Sequence, residues 1–101
     1  MGIWNAEHKP AREAVFAGKF YSSSKYELSQ ELFNLFEKAE KCREPGQKPR
    51  ALIVPHAGYI FSGKVAASAY RQIPPGYTYN RIFIIASSHR YHYHGAAVYT
   101  Q

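Results

Sequence analysis

Apolar residues recur at three- and four-residue steps along one stretch of the chain. Leu28, Leu32, Phe33, Leu35, Phe36 and Ala39 fall on one stripe, whereas Glu31, Asn34, Glu37, Lys38 and Glu40 fall off it. This spacing predicts an amphipathic helix over 25–41 that packs on another element. Ser24 and Glu27 stand before it as an S-x-x-E capping box, in which the hydroxyl accepts from an orphan amide and the carboxylate reaches back to the cap. Upstream, Ala14 to Gly18 reads as a short extended piece. Downstream, Pro45, Gly46 and Pro49 end the helix in a connector rather than a domain boundary.

The pattern then changes. Ala51, Leu52, Ile53 and Val54 are apolar without alternation, as in a strand buried on both faces of a parallel sheet, and Pro55 stops the run. Residues 64–73 read as a second helix with Ser62 as its cap, closed by Pro74, Pro75 and Gly76. A second apolar run, Ile82 to Ala86, leads into Ser87, Ser88 and His89. Strand, helix, strand is a βαβ unit, so the expected class is α/β with a parallel βαβ core. Its right-handed crossover lays both strands parallel and brings their carboxyl ends out on one edge.

Composition narrows the picture in three ways. A chain of 101 residues that is 46% hydrophobic holds one packed domain, not two. The net charge of +6 raises nucleic acid as a partner, but the basic residues are scattered, and Glu37, Glu40 and Glu44 interrupt their densest group, so a solvated face is the expectation. Cys42 is the lone cysteine. It excludes an intramolecular disulfide and a cysteine-only zinc site, and it fits a reducing, cytoplasmic setting. Charges at Glu7, Lys9, Arg12 and Glu13 break up any signal-peptide core, and no stretch is long and apolar enough for a membrane span.

Candidate chemistry sits at the strand ends. Ligands of open α/β sheets bind outside the carboxyl ends of strands, and each predicted strand delivers a histidine there, His56 and His89. Two imidazoles on one edge can bind a transition metal or handle protons, or they can be ordinary edge or core histidines. His92 and His94 share one side of an extended segment, which makes a second metal clip, a substrate contact or a plain loop. Tyr59, just past His56, either turns its hydroxyl into the crevice or packs its ring under the loop. Ser87 and Ser88 either donate to a bound anion or satisfy the strand end. Neither serine has a neighbouring acid–base pair for nucleophilic catalysis. The chain has no aspartate and no glycine-rich phosphate loop, which disfavours nucleotide chemistry.

Four motifs in order resemble the Memo family: A-G-x-F-Y at 17–21, Pro55-His56-Ala57-Gly58-Tyr59 with Ser62-Gly63, Ala66-Ala67-x-Ala69-Tyr70, and Ser87-Ser88-His89 with Gly95-Ala96-Ala97. The likeness spans residues 12–98. It implies an α/β fold distantly similar to class III extradiol ring-cleaving dioxygenases, and a metal site of two histidines and a cysteine. By that likeness His56 and His89 are the histidine ligands, of iron, copper or zinc. Residues 1–11 are then a tail and 12–101 part of a longer domain, because the family cysteine has no counterpart before Gln101 and Cys42, at a charged helix end, is a poor substitute. Bacterial and archaeal relatives are called system protein B of the AmmeMemoRadiSam set, which implies a radical-SAM partner. Two functions follow: a redox or dioxygenase-like metal protein, inactive as this piece, or a non-catalytic protein whose crevice engages a peptide or partner protein. A partial sheet with bare edges is expected to self-associate.

Overall fold

The computed structural model describes residues 12–41 and 46–98. The chain divides into two units, one of residues 15–79 and one of the residues on either side of it.

The first unit opens with a tight turn at the position expected to be extended. Gly18 has φ +80°, a conformation open to glycine because it lacks a Cβ. Its amide donates to the Tyr21 carbonyl at 2.7 Å, and the amides of Lys19 and Phe20 both donate to the Phe16 carbonyl at 3.0 Å. The turn stacks the rings of Phe16 and Phe20, with centroids 4.8 Å apart. Local hydrogen bonding outweighs the extended preference of this short apolar run.

Helix α1 spans Lys25–Lys38. Ser24 caps it as expected, its hydroxyl accepting from the Glu27 amide at 3.3 Å. The reciprocal half of the box is relayed: Glu27 accepts from the Ser22 hydroxyl at 2.8 Å, and that hydroxyl accepts from the Ser24 amide at 3.1 Å. The helix ends earlier than the expected residue 41, because Ala39 turns extended (ψ 149°) and donates to the Phe36 carbonyl at 3.2 Å. Leu28, Leu32, Leu35 and Phe36 are half-buried and Ala39 is buried. Phe33 is 61% exposed and leaves the predicted stripe, since one step past Leu32 turns it about 100° around the helix, onto the flank of the stripe.

Helix α2 spans Tyr59–Tyr70, starting five residues and ending three residues earlier than predicted. Its N-cap is Gly58, not Ser62. Ser62 lies one turn inside, buried, and its hydroxyl donates to the carbonyls of Ala57 at 2.9 Å and Gly58 at 3.3 Å. Gly63 sits inside the helix despite a propensity cost of about 1 kcal/mol relative to Ala. The reason is close approach: a Cβ on Gly63 would lie 3.0 Å from Leu35 Cδ1 of α1. Small residues on α2, Ser62, Gly63 and Ala67, are the buried ones at this helix crossing. The helix runs out through shorter-range bonds, Gln72 to Ala69 and Ile73 to Tyr70, both 3.1 Å. Gly76 (φ +81°) then follows Pro75 in a turn whose Tyr77 amide donates to the Pro74 carbonyl at 3.4 Å.

Three side chains tie the two ends of this stretch together. Tyr77 donates to the Gly46 carbonyl at 2.9 Å, Tyr79 to Pro49 at 2.9 Å, and Lys48 to Thr78 at 2.6 Å. The Lys48 ammonium also lies 4.2 Å from the Tyr79 ring centroid.

Residues 51–56 and 82–86 have no regular secondary structure, and among the described residues no strand ladder forms. Strand hydrogen bonds need a paired neighbour, and neither run has one there. Leu52 and Val54 are half-buried, whereas the isoleucines face solvent, with Ile53 99%, Ile84 90% and Ile85 95% exposed.

In the second unit, Ser88 closes a turn with Tyr91: its hydroxyl donates to the Tyr91 carbonyl at 2.7 Å and accepts from the Tyr91 amide at 3.2 Å. Gly95 at φ +85° makes the next bend. Among the described residues no helix is long and apolar enough to cross a membrane.

Candidate functional site

His56 stands on the loop that links the apolar run 51–54 to α2, two residues before the Gly58 cap. Three bonds hold that loop. The Tyr59 amide donates to the Phe20 carbonyl at 2.8 Å, which docks the loop on the turn at 16–21. The rings of Tyr21 and Tyr59 meet at 5.6 Å with a 38° tilt. From below, the buried Ser62 hydroxyl holds the Ala57 carbonyl. A Cβ on Gly58 would meet Phe20 backbone at 3.5 Å, an ordinary contact, so this glycine fits the docked turn snugly.

The loop borders a cleft of about 270 Å³. Leu32, Leu35 and Phe36 of α1 and Ala66 and Tyr70 of α2 line it, together with His56, Tyr59 and Ser62. His56 is exposed there. Tyr59 is half-buried, and its ring lies against that of Tyr21. Sequence reasoning passed over Phe20, Tyr21 and Ser62 as site-forming residues. The signal for the first two was their place in A-G-x-F-Y; for Ser62, its hydroxyl lies one turn past a glycine cap, where it can bond back to preceding carbonyls.

His89 belongs to the other unit, exposed within the Ser88–Tyr91 turn. Ser88 spends both sides of its hydroxyl on that turn. His92 and His94 are brought together, with ring centroids 5.6 Å apart and planes at 75°. Cys42 lies outside the described residues, as does the tail at 1–11.

As donors, neutral imidazoles suit zinc, copper, iron or nickel. Among the described residues no group of three or more His, Cys, Asp or Glu side chains gathers, so these residues furnish histidine donors without a complete ligand shell. Structural zinc sites have four ligands and catalytic ones at least three.

The family model described as Memo-like protein matches residues 12–101. Over 78 residues the chain is 44% identical to Protein MEMO1 of Xenopus laevis, an alignment covering 77% of this chain and 25% of that protein. Human Protein MEMO1 is 41% identical over the same span and coverage. A MEMO1 family protein of Aquifex aeolicus is 47% identical over 64 residues, 61% of this chain and 22% of the relative. The chain thus spans about a quarter of the length of the curated relatives it matches. No solved structure matches it. With a family match over residues 12–101 and relatives above 40% identity, the chain belongs to the Memo-like protein family.

Proposed function

We propose that this chain contributes His56 and His89 as two imidazole ligands of a mononuclear transition-metal centre, at the carboxyl edge of a parallel sheet whose strands are residues 51–54 and 82–86. The observation that carries the reading is the placement of His56. It sits on a loop anchored from two sides, at the end of an apolar run and at the mouth of an apolar cleft. The exposed isoleucines of both runs support the strand assignment, since their uninterrupted apolar character suits a position covered on both faces. Remaining ligands come from outside the described residues. When bound, such a metal supplies Lewis-acid or redox chemistry. The protein's own part is to fix the imidazoles, and an apolar cleft lies beside His56. Tyr59 and Ser88 then act as supports of the two histidine-bearing loops, with substrate contact secondary. The single cysteine fits a cytoplasmic setting.

Cobalt titration tests this, read by the visible absorption of nitrogen-ligated Co²⁺. The wild-type chain is expected to bind, and His56→Ala and His89→Ala each to weaken binding by at least about tenfold. Equal binding in all three proteins would overturn the assignment.

The apolar cleft supports a second reading, a non-catalytic module that docks a peptide or partner protein, including a radical-SAM partner. Retention of such binding by a metal-free His56→Ala, His89→Ala double variant would favour it.

A further inference from the structure

We propose that His92 and His94 form a second site for a first-row divalent cation, separate from the His56 and His89 centre. The two side chains are two residues apart in a stretch without helical winding, so they project from one side of the chain. Their ring centroids lie 5.6 Å apart with planes at 75°. With a metal–nitrogen bond of about 2.1 Å and the nitrogen about 1.1 Å from its ring centre, two imidazoles on one tetrahedral ion have centroids roughly 5 Å apart. The observed 5.6 Å is close to that separation, so the two rings lie within reach of one ion when their nitrogens turn toward it.

Two devices hold the segment in this shape. The Ser88 hydroxyl locks the turn that precedes it through two bonds to Tyr91, and Gly95 bends the chain immediately after it at φ +85°. Both histidines are exposed, so water completes the coordination shell and the ion exchanges with solvent. Nitrogen donors with water favour copper over the other divalent ions of the first row. No acidic side chain stands between Arg81 and Val98, and Arg90 lies two residues before His92, so the site offers no negative charge and selects by ligand softness alone.

The test is Cu²⁺ titration of the untagged full chain in a His56→Ala, His89→Ala background, followed by calorimetry and by nitrogen hyperfine structure in electron paramagnetic resonance. This background is expected to bind about one Cu²⁺ with a two-nitrogen signature, and further His92→Ala or His94→Ala to weaken it at least about tenfold. His8→Ala in the same background is expected to leave it unchanged. Circular dichroism of each variant reports whether α1 and α2 are intact, so that loss of binding is read only in folded protein. Absence of Cu²⁺ binding in the folded background, or binding indifferent to His92→Ala and His94→Ala, would overturn the proposal.

Discussion

The close approach of α2 to α1 at Gly63 makes a prediction in which the sign of an effect reverses. A methyl at residue 63 would lie 3.0 Å from Leu35 Cδ1 and 3.4 Å from Tyr59 Cβ. Replacing a mid-helix glycine by alanine gains about 1 kcal/mol of helix propensity. Overpacking costs about 1–3 kcal/mol, because the neighbour must leave its preferred rotamer. Leu35 is half-buried and its Cδ1 is the end of a movable side chain, so the lower half of that range applies. Gly63→Ala is therefore expected to destabilise by about 0–1 kcal/mol, and Gly63→Leu by about 3 kcal/mol. In a Leu35→Ala background the crowding atom is gone. There Gly63→Ala should stabilise by nearly the full propensity gain, about 1 kcal/mol. Urea unfolding followed by far-ultraviolet circular dichroism measures all four corners of the cycle. If Gly63→Ala shifts stability equally with and without the Leu35 side chain, the helix crossing described here is wrong.

Three other outcomes follow from individual contacts. Ser24→Ala should cost about 1 kcal/mol by removing the cap of α1, whereas Ser24→Gly should cost only a few tenths, a contrast readable in thermal melts. Ser62→Ala unties the Ala57 carbonyl and should cost about 1 kcal/mol; it should also speed amide hydrogen exchange in the His56 loop, and unchanged exchange would deny the anchor. The exposed Ile53, Ile82, Phe83, Ile84 and Ile85 should drive association, so light scattering is expected to report oligomers that Ile84→Lys disperses; a monodisperse wild-type monomer would count against it.

What the sequence disclosed depended on how local each cause is. The cap at Ser24 and the core of α1 were readable because they rest on neighbours within four residues. The start of α2 was misplaced because Gly58 and Gly63 look like loop residues until one is seen to cap the helix and the other to meet Leu35. Phe33 looked like core by type, and only its rotation about the helix axis sends it outward. Likewise the turn at 16–21 depends on Gly18 taking a positive φ, which a glycine permits but does not announce. His56 was legible as a candidate from its position after an apolar run, and its family motif agreed. The docking of Phe20 on Tyr59 was not, since a backbone contact across 39 residues leaves no side-chain pattern.

The ties from Tyr77, Tyr79 and Lys48 share one consequence. They span nearly the same separation, 31, 30 and 30 residues, so whichever forms first bears the entropy of bringing the ends together. The later two then form at almost no further loop cost. Any single tie is thus expendable, and loss of one phenol hydroxyl should be masked by the others. Removing all three frees the ends of the segment that carries His56 and α2, leaving the α1–α2 crossing and the Tyr59–Phe20 bond to hold it, so tolerance to substitution here should end abruptly rather than decline by equal steps.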